Sequence, residues 1–276
     1  ASADVRIAGR ALAGGDIDLR AKGMDLSGGH IATTGRIGLQ AGGNLDNAGG
    51  AVIAGADLTA RVGQALRNEG GTLLAQGDLV IEEAKLVVRN VGGSIGAGRN
   101  LRLTLASLDN TDGRIANVAK SQGDVRLALG GVLDNTRGRI GADRDVSVQA
   151  RELLGVGEIA AGRDLALALD SGYTHSENHL LSSERDLSLR LGGDFVNPAR
   201  RGLPKAGDEP LALAAVRDLR VEAANIANSG DLVAGGALTL RAGRIDNSGS
   251  LVGGSVFAQA AEELRNEGPA ALIGAA

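Results

Sequence analysis

Short apolar runs separated by glycine turns recur along the chain with a period near twenty residues. Leu101, Leu103 and Leu105 alternate with other residues, as do Leu165, Leu167 and Leu169, and Leu187, Leu189 and Leu191. This period of two gives an extended strand one apolar face, whereas a helix would need apolar positions three and four apart. Glycine at both ends of each run breaks helices, and Gly followed by Asp or Asn offers the positive φ of tight turns. Each repeat is therefore expected to form two or three short strands joined by turns.

Setting the segments under one another exposes the register. GGAVIAGADLTARVGQALRNEG ends at Gly70, GGTLLAQGDLVIEEAKLVVRNVG at Gly92 and GDLVAGGALTLRAGRIDNSG at Gly249. Each carries an apolar pair, a glycine turn, an alternating segment, then an apolar residue two before an Asn. That asparagine recurs at Asn47, Asn68, Asn90, Asn110, Asn135, Asn197, Asn228, Asn247 and Asn266. A second series, Asp57, Asp78, Asn100, Asp124, Asp145, Asp164, Asp186 and Asp218, stands just before the alternating strands. Usual spacings of about 19 to 25 residues are those of a solenoid coil, because helical-hairpin repeats run longer. One repeat cannot bury its apolar face alone, so the chain is expected to be all-β, a parallel β-helix of about 20-residue coils. Asparagines at one level of every coil can form a ladder of side-chain amides, satisfying polar groups that the turn would otherwise bury unpaired.

Composition agrees with stacked layers. The 276 residues include 44 Gly but two Phe, one Tyr and no Trp, so aliphatic side chains must fill the interior. The net charge of −4 is spread without long runs, and the scarce aromatics leave no platform for stacked bases, which argues against nucleic acid as a partner. No apolar stretch approaches the length of a membrane span, and the first residues lack the pattern of a signal peptide. Zero cysteines exclude disulfides and thiolate sites without fixing the compartment. Residues 1–276 are read as a single repeat segment excised from something longer.

The repeat is weakest between Ser171 and Pro210. Three of the four prolines lie in 198–210, and proline cannot donate to a sheet ladder, so 198–210 is expected to leave the solenoid as a loop. Arg200, Arg201 and Lys205 in that loop, with Tyr173 upstream, are candidate contact residues for an acidic glycan or lipid, although Asp208 and Glu209 partly cancel the charge. His175 and His179 flank Glu177, but the glutamate is misplaced for a metalloprotease motif, and a solvated turn is the default reading. Asp109, Asp112, Asp143 and Asp145 invite comparison with glycan-cleaving β-helices. Most Asp recur with the repeat, however, where turn geometry explains them, and a catalytic pair should stand apart from it. Gly96-Ala97-Gly98 and Gly155-Val156-Gly157 do not complete a phosphate loop. No cofactor or metal is implied.

GGNLDNAGG from Gly42 to Gly50 and GRIDNSG from Gly243 to Gly249, with the recurring Gly-x-Asp-Leu-x-Leu element, resemble the haemagglutinin repeats of the filamentous haemagglutinin family. The resemblance covers nearly the whole chain. It implies a right-handed parallel β-helical shaft in a very large secreted exoprotein at the cell surface of a Gram-negative bacterium. Such proteins leave through a two-partner secretion transporter in the outer membrane, recognised by an amino-terminal domain with Asn-Pro-Asn motifs that has no counterpart in this sequence. The resemblance includes adhesins and contact-dependent growth inhibition toxins, so it implies a surface receptor or glycan on a host cell or another bacterium as partner. On this reading the segment is a structural shaft that mediates attachment and not an enzyme. The alternatives are that the segment itself is a receptor- or glycan-binding module, or a glycan-cleaving β-helix.

Overall fold

The computed structural model describes residues 3–117, 122–176, 180–199 and 213–275. These residues form strands and turns without a helix, and the strand pairs within each unit are parallel. The chain divides into two compact units, residues 1–159 and 160–276.

In the first unit each coil contributes three short strands. One coil runs through Leu45–Asp46, Ala51–Ala54 and Leu58–Val62, and the next through Ala65–Arg67, Thr72–Ala75 and Leu79–Glu82. Leu66 pairs with Leu45, Leu73 with Val52 and Leu79 with Leu58, so equivalent residues of successive repeats lie side by side. This register turns the sequence period into interior columns. Ile31, Val52, Leu73, Ile95, Ile115 and Ile140 form one column, and all are buried. Each buried aliphatic side chain is worth about 1.5–3 kcal/mol, and branched chains in identical surroundings pack layer on layer without aromatics to fill gaps. The solenoid expected from the alternation is the observed architecture.

The second unit stacks Asp164–Leu169, Asp186–Leu191 and Leu219–Glu222 in the same way. Its last coils straighten one corner. Ala237–Asn247 and Ser255–Asn266 run as single strands of 11 and 12 residues, with an irregularity between Ala242 and Arg244 where other coils turn.

The glycine pair closing the turns after Asn47, Asn68 and Asn90 has two separate reasons. Gly70 has φ +60°, a left-handed conformation costly for other residues. Gly71 has no such φ, but a Cβ there would lie 2.1 Å from the carbonyl oxygen of Asn47 in the neighbouring coil. In two later coils the left-handed position passes to Asp112 and Arg137, φ 54° and 53°. Arg137 grips Asp112 with Nε and a terminal nitrogen, at 2.7 and 2.6 Å.

Candidate functional site

The turn that ends each repeat carries its asparagine inward. Asn47, Asn68, Asn90, Asn110 and Asn135 are all 0% exposed. Asn47 Nδ2 donates to Asn68 Oδ1 at 2.7 Å, Asn68 to Asn90 at 2.7 Å, Asn90 to Asn110 at 2.8 Å and Asn110 to Asn135 at 2.8 Å. The same amide nitrogens also reach backbone carbonyls; that of Asn68 donates to Gly71 in its own turn and to Ser94 in the next coil. In the second unit Asn197 donates to Asn228, Asn228 to Asn247 and Asn247 to the exposed Asn266, at 2.7, 2.7 and 2.6 Å. Every link runs in one direction, from the earlier asparagine to the later.

That polarity explains two buried oxygens without donors, Asn47 Oδ1 and Asn197 Oδ1. The coil before Asn47 places Leu26 in the column, and its amide bonds to the carbonyl of Asp46. The coil before Asn197 places His175 there, its amide bonded to the carbonyl of Val196. Neither residue supplies the proton that an asparagine would. Downstream of Asn135 the column passes to Gly155, and Asn135 Nδ2 turns to the carbonyl of Glu158 at 3.2 Å.

The aspartate series is a second ladder, built from carboxylates and main-chain amides. Asp57 Oδ1 accepts the amide of Asp78 at 2.9 Å, and Asp78 Oδ1 accepts that of Asn100 at 3.0 Å. In the second unit Asp218 Oδ1 accepts the amide of Ala237 at 2.9 Å. Guanidinium groups brace the same corner, with Arg99 3.3 Å or less from both Asp57 and Asp78. Two of the aspartates compared with glycan-cleaving enzymes have turn or inter-coil roles: Asp109 accepts the amide of Thr111, and Asp112 is the carboxylate held by Arg137. The Arg137 hydrogen bond holds the Asp112 carboxyl below the usual carboxylate range.

Tyr173 is a correction. Expected as a contact residue, it is 5% exposed, and its ring stacks on Phe195 with centroids 6.3 Å apart. Its strand alternates inward at that residue, and register with Phe195 puts it in an interior column that continues to Ile226. Burial pushes its hydroxyl pKa up. His175, 7% exposed, lies beside it rather than in a solvated turn, with Nδ1 3.4 Å from the Tyr173 hydroxyl, and burial lowers its pKa. Arg200, Arg201 and Lys205, like Glu177, His179, Asp208 and Glu209, lie outside the described residues; of the expected loop over 198–210 only Pro198 and Ala199 are described. Among the described residues no group of three or more His, Asp or Glu is arranged to hold a metal, and no helix is long and apolar enough to cross a membrane.

One surface escaped the reading of the sequence. On the outer face of the first unit, Asp18, Arg20, Gln40, Thr59 and Arg61 surround Gly38 in a polar depression whose rim also carries Asp16, Arg36 and Asp57. No motif marks it, because the residues come from three repeats and only their register brings them together.

Coils of one register, aliphatic columns and a buried amide ladder define the class: a parallel β-solenoid built from tandem repeats. The chain belongs to the haemagglutinin repeat family, which matches residues 1–85, 83–136, 121–197 and 214–275. It is 41% identical over 189 residues to the tRNA nuclease CdiA-2 of Burkholderia pseudomallei (strain 1026b). That match takes in 68% of this chain but 6% of the relative's length. No solved structure matches the chain.

Proposed function

We propose that this chain is a shaft segment of a secreted cell-surface exoprotein of a Gram-negative bacterium, of the adhesin or contact-dependent inhibition type, that mediates attachment to other cells. The observation that carries the reading is the asparagine ladder, buried and linked coil to coil at 2.7–2.8 Å in the first unit. Such a device spends its polar groups on holding coils together and leaves the outward side chains free to vary, which suits a spacer. Export would use the family's outer-membrane two-partner transporter, with a receptor or glycan on the target surface as the distal partner. The nuclease activity in the relative's name is assigned here to a region outside these repeats, since the shared stretch is repeat shaft. The candidate loop, with Arg200, Arg201 and Lys205, is an accessory contact on this reading.

The test is a deletion of whole coils in the secreted protein that carries the segment. Removing 69–110 joins Asn68 to Thr111 and keeps the turn pattern Asn-x-x-Gly intact. The shortened protein should reach the cell surface and still support attachment. Normal display with attachment abolished would overturn the reading and make these coils the recognition element.

A further inference from the structure

Arg20, Gln40 and Arg61 stand in register on three successive coils, and Asp18, Gly38 and Thr59 form the adjacent row. These side chains point outward from strands whose inward neighbours, Ile37, Leu39, Leu58 and Ala60, are buried. None of the five outward side chains makes a hydrogen bond or ion pair with another described residue. Further along the same face the arginines are engaged: Arg102 lies 3.6 Å from Glu82 and Arg126 3.1 Å from Asp124. Gly38 leaves the floor of the depression without a side chain. A Cβ there would meet Asp18 Oδ1 at 2.3 Å, so the Asp18 carboxylate reaches across the glycine.

The unspent chemistry is two guanidinium groups, one carboxylate, an amide and a hydroxyl; the other charged residues of the lining are already engaged, Asp16 with Arg36 at 3.2 Å and Asp57 with Arg99 at 2.9 Å. Guanidinium pairs with carboxylate through two parallel hydrogen bonds. Asp18 accepts hydroxyl protons, and Gln40 and Thr59 both donate and accept. Asp18 also repels a ligand with an anion at every position. Arg20 and Arg61 are two coils apart, about 9.6 Å along the stacking direction, which suits an acid on alternate sugars. We propose that this face binds a polysaccharide chain lying along the coil axis and carrying a uronate on every second residue. The proposal goes beyond the shaft reading, and the isolated segment tests it whatever the outcome of the deletion experiment.

The experiment is calorimetric titration of the purified segment with hyaluronan oligosaccharides, in which uronate and neutral sugars alternate. Polygalacturonate oligosaccharides carry the acid on every sugar, and dextran is neutral. Hyaluronan should bind at least about tenfold more tightly than dextran and more tightly than polygalacturonate, with affinity falling as salt rises. The Arg20→Gln/Arg61→Gln double variant, confined to exposed side chains, should lose about tenfold or more. Gly38→Thr should lose a similar factor by filling the floor, while Arg102→Gln stays within about twofold. No hyaluronan binding, equal binding of dextran, tighter binding of polygalacturonate, or a double variant that binds as the parent does would each overturn the proposal.

Discussion

His175 holds the place of an asparagine in the column that continues with Asn197, and the Asn197 Oδ1 beneath it has no donor. A titratable ring has entered an otherwise neutral amide ladder, in the stretch where the repeat is weakest in sequence. The substitution makes local stability depend on pH.

Burial lowers the His175 pKa from the ordinary 6.5. The unfolded chain therefore binds a proton more readily than the folded one as pH falls through 6.5, and stability drops over the interval down to the folded-state pKa. Above that interval both states are neutral at this group and stability is fully present. Urea unfolding followed at neutral pH and near about pH 5 should show a lower midpoint in acid, and His175→Asn should shrink the difference. An undiminished difference in the variant would assign the acid sensitivity to other groups.

Asn68→Leu takes the acceptor from Asn47 Nδ2 and the donor from Asn90 Oδ1, both buried. A destabilisation of about 2–4 kcal/mol is expected, from two groups left short of partners. Asn47→Leu strands only Asn68 Oδ1 and removes an oxygen that already lacked a donor, so it should cost about 1–2 kcal/mol. Urea midpoints of the two variants check the order; equal costs would mean that the links are not directional in solution.

Leu26→Asn would extend the ladder by placing a donor over Asn47 Oδ1. The apolar burial lost, about 2 kcal/mol, is offset by the new bonds, leaving a net change within about 1 kcal/mol. Leu45→Asn puts the same amide into a column between Met24 and Leu66, where no asparagine waits, and should cost about 3 kcal/mol or more. Thermal melts of the pair distinguish a column that takes asparagine from one that rejects it.

Gly70→Ala and Gly71→Ala change adjacent residues for different reasons. The first places alanine at φ +60°, worth about 1 kcal/mol. The second drives a methyl into the Asn47 carbonyl, 2.1 Å away, and should cost about 3 kcal/mol or prevent folding. A Gly71→Ala variant as stable as Gly70→Ala would show that the coils can move apart there.

The solenoid was readable because strand alternation, the asparagine series and the aspartate series keep step, and stacking identical coils buries the aliphatic and asparagine columns while it pairs the aspartates with main-chain amides at the corner. Even the ladder's members stand out by their spacing. Its direction could not, since the sequence does not say which amide atom faces which coil. Tyr173 and His175 were misread for a related reason. In a chain nearly free of aromatics they look like surface novelties, yet their register with Phe195 and Asn197 puts them into interior columns. The strained turn at Asp112 and Arg137 was equally hidden, because the glycine that marks this position at Gly49, Gly70 and Gly92 is missing there. The depression over Gly38 exists only once the coils stack, because its partners are about twenty residues apart in sequence and share no motif.

A one-way ladder makes the two faces of any coil chemically different. Cut open between Asn68 and Asn90, one half would show an amide proton seeking an acceptor and the other a carbonyl oxygen seeking a donor. Two like faces cannot satisfy each other, since donor would meet donor or acceptor meet acceptor. Fragments of this solenoid should therefore rejoin head to tail and refuse head to head, so the interior asparagines give the repeat a sense of direction as well as cohesion.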